Sequence, residues 1–147
     1  MHIKEILHRK GHEITSVGPD EPLEHCAAHM KLKRIGALVV CGPDKRLKGV
    51  ISERNIVNAL VDYGPRALQM KAMQAMDTDP VTCKPGDTVA AVARRMTSAR
   101  VRHVPVCEGN DLVGLISIGD IVKERLEEVE LERDTLRDLA GAHLSAV

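Results

Sequence analysis

The sequence predicts an α+β fold: two β-α-β-β-α repeats packed with pseudo-two-fold symmetry, followed by a charged C-terminal helix. Three observations carry this expectation. The 147 residues contain an internal repeat, each copy alternates strand-like and helix-like apolar spacing in the same order, and the 44% hydrophobic content can supply a core. A copy of about 50–60 residues cannot comfortably bury its own apolar face, so the two should cover each other.

The repeat is read by displacement. At a shift of 66, Pro19 falls on Pro85, Ala27 on Ala93, Met30 on Met96, Arg34 on Arg100, Val40 on Val106 and Cys41 on Cys107. One residue fewer near Arg46 makes the shift 65, and LKGVISERNIV (47–57) then lies on LVGLISIGDIV (112–122). Leu47/Leu112, Gly49/Gly114, Ile51/Ile116, Ser52/Ser117, Ile56/Ile121 and Val57/Val122 are identical.

Each element follows in order. Residues 1–13, MHIKEILHRKGHE, form an N-terminal segment too charged for a signal peptide or membrane anchor. The first repeat spans 14–62: an extended ITSV (14–17), then a helix that Asp20 is placed to cap, with Pro22 early in it and Leu23, Ala27 and Met30 on one face. A strand ALVVC (37–41), a turn GPDK (42–45), a second strand and a helix complete it. A breaker at Tyr63-Gly64-Pro65 opens the linker 63–79, with a helix expected from Ala67 to Met76 whose Met70, Met73 and Met76 pack on the core. The second repeat, 80–125, has VTC (81–83), a cap at Asp87, Val89, Ala93 and Met96 on one helix face, the strand VPVC (104–107) and the turn EGND (108–111). A charged helix over 121–144 leads into the tail (126–147), with Lys123–Glu127 at i,i+4. Leu126, Val129 and Leu136 lie near a 3.5-residue seam that Arg133 interrupts. Two readings of this helix stand: it lies on its own subunit, or it contributes to a dimer interface.

Composition narrows the function classes. The chain balances 21 basic against 21 acidic residues, but residues 120–147 hold 8 acidic and 4 basic, leaving the body mildly positive. That suits a small anion better than a nucleic-acid backbone. With no Trp, no Phe and a single Tyr63, a stacking platform for single strands is absent. No apolar run has membrane-spanning length, so a cytoplasmic location is expected, with no membrane and no nucleic acid as partners. Cys26, Cys41, Cys83 and Cys107 lack metal-type pairing such as C-x-x-C, and with no export signal reduced thiols are expected; Cys41 and Cys107 read as small hydrophobes, and Cys83, bordering the proposed cleft, as a candidate redox-sensitive thiol. His25, Cys26 and His29 on one helix, and His8 with His12, lack the further ligands of a tetrahedral set, so no metal is expected. No nucleophile elbow, glycine-rich phosphate loop or paired catalytic carboxylates occurs, so neither catalysis nor a catalytic cofactor is expected.

The repeated phrase strand–Gly-h-h-Ser-x-x-Asp/Asn–helix, preceded by RHVPVC, together with AMDTDPVTC at the linker's end, resembles the tandem cystathionine-β-synthase-type (CBS) domain pair. This pair is also called a Bateman module, and the likeness is to its small stand-alone bacterial type. The resemblance covers residues 14–125. It implies a homodimeric, non-catalytic regulatory module that binds AMP, ATP or NAD(H) in clefts between repeats and signals occupancy to a regulated protein. Carried over, it places adenine beside Thr82, Cys83, Arg102, His103, Val104 and Pro105. In the first repeat the matching positions are Thr15, Ser16, Gly36, Ala37 and Leu38.

The residues support a cleft chemistry of their own. Ser117, Ile118, Gly119 and Asp120 sit where a strand becomes a helix, so free N–H groups and the helix dipole favour phosphate, and Asp120 can accept from ribose hydroxyls. Helix capping by the same Ser-x-x-Asp is the competing reading. The first repeat has Ser52, Arg54 and Asn55 there; Asn55 lacks the charge, and Arg54 reads as a phosphate contact or a surface residue. His103 either touches ligand or ends its strand, and Arg34 and Arg100 either complement helix dipoles or face a phosphate. The alternative to a nucleotide sensor is a ligand-free dimeric protein-interaction scaffold.

Overall fold

Ile3, Ile6 and Leu7 recur at i, i+3 and i+4 and become the buried stripe of the first helix, α1 (Ile3–Lys10). A computed structural model describes residues 1–11 and 13–145, the side chains of 143–145 excepted; His12 therefore lies outside the described residues. After α1 come β1 (Ser16–Val17), α2 (Leu23–Lys33), β2 (Ala37–Cys41), β3 (Leu47–Ser52) and α3 (Glu53–Tyr63). A 3-10 helix (Gly64–Gln69) and the single-turn α4 (Ala72–Ala75) lead to α5 (Val89–Ala99), β4 (His103–Glu108), β5 (Asp111–Ser117) and α6 (Ile118–Ser145). No helix among the described residues is long and apolar enough to cross a membrane.

The two copies form two small sheets. β2 pairs antiparallel with β3, Ala37 opposite Ser52, and β1 adds in parallel through Ser16↔Val39. β4 and β5 repeat the hairpin with His103 opposite Ser117, and each hairpin shifts register at the matching point, Val40/Cys41 and Val106/Cys107. The equivalent of β1 shrinks to one parallel bridge, Cys83↔Val106. Leu38 and Val40 in one copy, and Val104 and Val106 in the other, face helix-covered cores. Ala37, Val39 and Pro105 are equally buried on the opposite strand faces.

The covering helices are exchanged between copies. The N-terminal α1 packs on the second copy: Ile3, Ile6 and Leu7 join Val89, Val92, Met96, Val104 and Ile116. Its backbone is laced there by Ile3 N–H to Asp87 C=O (3.0 Å) and Val89 N–H to Met1 C=O (3.0 Å). α4 does the same for the first copy, through Leu23 N–H to Met70 C=O (2.8 Å) and Ala72 N–H to Glu21 C=O (2.8 Å). The repeated glycines of β3 and β5 receive these segments. A Cβ on Gly49 would stand 2.5 Å from the Asp77 carbonyl and 2.7 Å from the Met76 sulfur, whereas one on Gly114 would meet only the Leu7 side-chain end. Backbone cannot retreat cheaply and a leucine tip can. Gly49→Ala is therefore expected to cost about 1–3 kcal/mol and Gly114→Ala less, measured by urea unfolding.

Several local expectations are corrected. The helix expected over Ala67–Met76 is a 3-10 turn and one α-turn, because Met70 and Lys71 stay extended to pair with Leu23 and Pro22. Met70 and Met76 pack on the first core, but Met73 is 44% exposed. Asp20 and Asp87 do not cap. Pro22 is the N-cap residue of α2 with no side-chain bond, Thr88 caps α5 by accepting from Ala91 N–H (3.1 Å), and Asp87 accepts from Lys84 N–H and pairs with Arg95. Glu127 turns to Arg9 (2.6 Å) rather than Lys123. Arg34 (φ 55°) and Arg100 (φ 56°) end α2 and α5 in the left-handed conformation, so their main-chain N–H groups close the helices. The charged helix begins at Ile118 and rises directly from β5.

Candidate functional site

Both Ser-x-x-Asp/Asn phrases fold into reciprocal caps. Ser117 N–H donates to Asp120 Oδ2 (2.9 Å) while Asp120 N–H donates to Ser117 Oγ (3.1 Å). In the first copy Ser52 N–H donates to Asn55 Oδ1 (2.7 Å), and Asn55 N–H to Ser52 Oγ (3.3 Å). The capping reading is thus realised at both helix starts, and it holds Ser117 and Asp120 at a strand-to-helix junction.

The second copy adds charge. Lys10, from the end of α1, donates from Nζ to Asp120 Oδ2 (2.8 Å) and to the Leu115 carbonyl (2.9 Å). Burial by itself would raise the Asp120 carboxyl, but the Lys10 ammonium and the Ser117 N–H outweigh it and hold the group below its usual value. No local motif announces Lys10; it arrives from 110 residues away. Arg102 and His103 adjoin the same junction, since Ile118 N–H donates to Arg102 C=O (2.8 Å) and His103 lies opposite Ser117.

His103 also bridges the copies. Its Cε1 lies 3.2 Å from where a Cβ on Gly36 would be, and Glu53 crowds the same point at 3.6 Å. Burial lowers the imidazole's pKa, opposed by Glu53 and Asp120 and reinforced by Lys10 and Arg102. The ring therefore favours its neutral form between an acid from each repeat.

The remaining candidates separate. Val104 and Leu38 belong to the cores, and Ala37 and Pro105 are fully buried, so these four offer the cleft main chain at most. Thr82 is exposed and its carbonyl accepts from Arg95 (3.4 Å). Cys83 is buried, and burial pushes its thiol up to about 12, so the oxidation-prone thiol read from the sequence is an unreactive core group. Thr15 is half-buried, and Ser16 and Arg54 are exposed. Gly119 and Ile118 are exposed at the start of α6. In the first copy a groove of about 580 Å³ runs between α2 and α3, walled by Met30, Ile56 and Val57 and edged by Lys31, Arg34, Gly36 and Glu53. Of the first-repeat candidates only Gly36 lines it; Ser52, Arg54 and Asn55 do not.

Comparison with known proteins agrees with this architecture. The family model for the CBS domain matches residues 3–62 and 71–127, and so takes in both exchanged helices. The crystal structure of a CBS-domain containing protein from Agrobacterium tumefaciens superposes with a TM-score of 0.82 at 38% identity, covering 85% of this chain and 99% of that one. A CBS domain protein from Pyrobaculum aerophilum, complexed with AMP, superposes at 0.76 with 29% identity, covering 90% and 99%. A mitochondrial CBS domain-containing protein of Arabidopsis thaliana is 30% identical over 120 residues, which are 78% of this chain, and the chain spans 58% of that relative's length. Two matched repeats, two superposable hairpins and the capped strand-to-helix junction of each lead to one conclusion: the chain belongs to the CBS domain family and carries a pair of CBS repeats.

Proposed function

We propose that the chain is a non-catalytic regulatory module that binds an adenine nucleotide and signals its occupancy to another protein. The tighter site is the junction of Ser117, Ile118, Gly119 and Asp120, with Arg102 and His103 beside it; the exposed Thr82 is the further candidate for the base. The observation that carries this is the ionised Asp120 paired with Lys10 at a helix N-terminus. An anionic acceptor suits ribose hydroxyls, while the adjacent ammonium and helix dipole suit phosphate. Ribose would replace Lys10 on Asp120, and the freed ammonium would turn to the phosphate. The AMP held by the Pyrobaculum protein supports an adenylate, with ATP and NAD(H) as the related candidates. Asn55 is neutral and lies outside the groove that Lys31 and Arg34 edge, so the first copy does not gather its acceptor and its cations in one place and its site is the weaker one. The module acts as a homodimer.

A ligand-free interaction scaffold is the competing reading, and Lys10 already occupying Asp120 is the observation on its side. Thermal denaturation with AMP, ATP and NADH decides between them. At 100 times its dissociation constant a true ligand stabilises by about 2.7 kcal/mol, whereas a scaffold shows no shift with any of the three.

A further inference from the structure

From Val129 through Ala142 every residue of α6 is exposed, so the helix runs beyond the body formed by the described residues. Its counterpart α3 is stopped by Gly64 and Pro65, whereas α6 runs for 28 residues. Ile121 and Glu124 are buried, and Glu124 and Glu127 receive Arg9 at 2.9 and 2.6 Å, so one face of α6 is committed to its own subunit. The opposite face carries Val122, Leu126, Val129, Arg133, Leu136 and Ala140, alternating four and three residues apart. These are the a and d positions of a heptad seam about 27 Å long. Val122 is 49% exposed, Leu126 57%, Val129 61% and Leu136 67%.

We propose that this seam pairs with the same seam of a second copy as a parallel two-stranded coiled coil over residues 122–140. The charges flanking it select both partner and direction. With Leu126 and Arg133 at a, the g positions are Arg125 and Glu132 and the e positions are Lys123, Glu130 and Arg137. A parallel pair sets each g against the next e of its neighbour, giving Arg125 with the partner's Glu130 and Glu132 with the partner's Arg137, each twice by symmetry. The antiparallel pairing that matches Leu126 with Leu136 sets Glu130 against Glu130, Glu132 against Glu132 and Lys123 against Arg137. The three charged flanking contacts there are all between like charges, and the fourth sets Arg125 against Leu139. The acidic surplus of the helix (Glu124, Glu127, Glu128, Asp134, Asp138) falls on the outer b, c and f positions, away from the seam. Arg133 at a sets two guanidinium groups against each other in the middle layer, a like-charge contact that costs stability, as a polar residue at a single a position does where it fixes register.

The proposal rests on the homodimer reading above and adds its surface and direction; it is independent of the nucleotide. Sedimentation equilibrium of the full chain, of Leu126→Glu/Leu136→Glu and of Glu130→Arg/Glu132→Arg is the test, with circular dichroism and the AMP thermal shift as folding controls. The wild type is expected to be dimeric and both variants monomeric at concentrations 100-fold above the wild-type dissociation constant. Val129→Cys, at d, is expected to form a disulfide-linked dimer on mild oxidation while the wild type does not. A monomeric wild type overturns this proposal and the homodimer together. A dimer that both variants keep overturns the helix seam alone, and a dimeric Val129→Cys that fails to cross-link overturns the parallel direction.

Discussion

Asp120→Ala is expected to abolish the thermal shift that AMP produces, leaving a folded protein. The carboxylate has two roles, and the substitutions separate them. As a cap it accepts the Ser117 N–H, a bond whose loss costs about 1 kcal/mol and lowers the melting temperature without ligand. As an anion it holds Lys10 and is placed for the ribose. Asp120→Asn keeps the first role and removes the second; the first repeat already shows that Asn55 closes the same cap. A charge-assisted hydrogen bond is worth about 1.5–3 kcal/mol, so Asp120→Asn should weaken AMP roughly 10- to 150-fold while unliganded stability stays near wild type. Lys10→Met sharpens the test. If the ammonium moves from Asp120 to the phosphate, this variant binds AMP more weakly but binds adenosine, which has no phosphate, as well as wild type or better. An unchanged AMP shift in Asp120→Ala would remove the second-copy site from consideration.

What could be read in advance follows from where each signal resides. The hairpins were legible because strand, turn and strand are contiguous and occur twice: ALVVC is β2 without adjustment, and VPVC lies inside β4. Ser117 and Asp120 were legible for the same reason, since three residues of spacing define a cap whatever surrounds them. Lys10 was not, because nothing local distinguishes it from Lys4; only the docking of α1 on the second copy brings it to Asp120. The exchange was hidden too. Residues 2–10 and 71–79 share no identities at matching positions, and Ile3, Ile6 and Leu7 are scattered among charges, so only their spacing hinted at a buried face. The linker helix and the aspartate caps misled by the same mechanism. Helix propensity at Met70 yields to a backbone bond with Leu23, and Asp87 is drawn away by Arg95 and Lys84 while the neighbouring Thr88 does the capping.

The exchange has a consequence for the second-copy site and for the root of α6. Ile3 has no solvent exposure and sits in the second copy's core, so Ile3→Asp would bury a carboxylate where the surrounding side chains are apolar. Ile3→Ala alone should cost about 2–5 kcal/mol, and the aspartate more, enough to release α1. Release would uncover Ile6 and Leu7, take Lys10 from Asp120, and take Arg9 from Glu124. Glu124 is only 4% exposed, and its Oε1 has no hydrogen-bond partner among the described residues, so losing Arg9 would leave an uncompensated buried charge at the root of α6. The damage should therefore be lopsided. Hydrogen exchange of Ile3→Asp is expected to show lost amide protection in α5, β4, β5 and the first turns of α6, with β2, β3 and α2 still protected by α4. Equal loss in both repeats would mean that the two cores unfold as one unit and that the exchanged helices do not divide the molecule's stability between them.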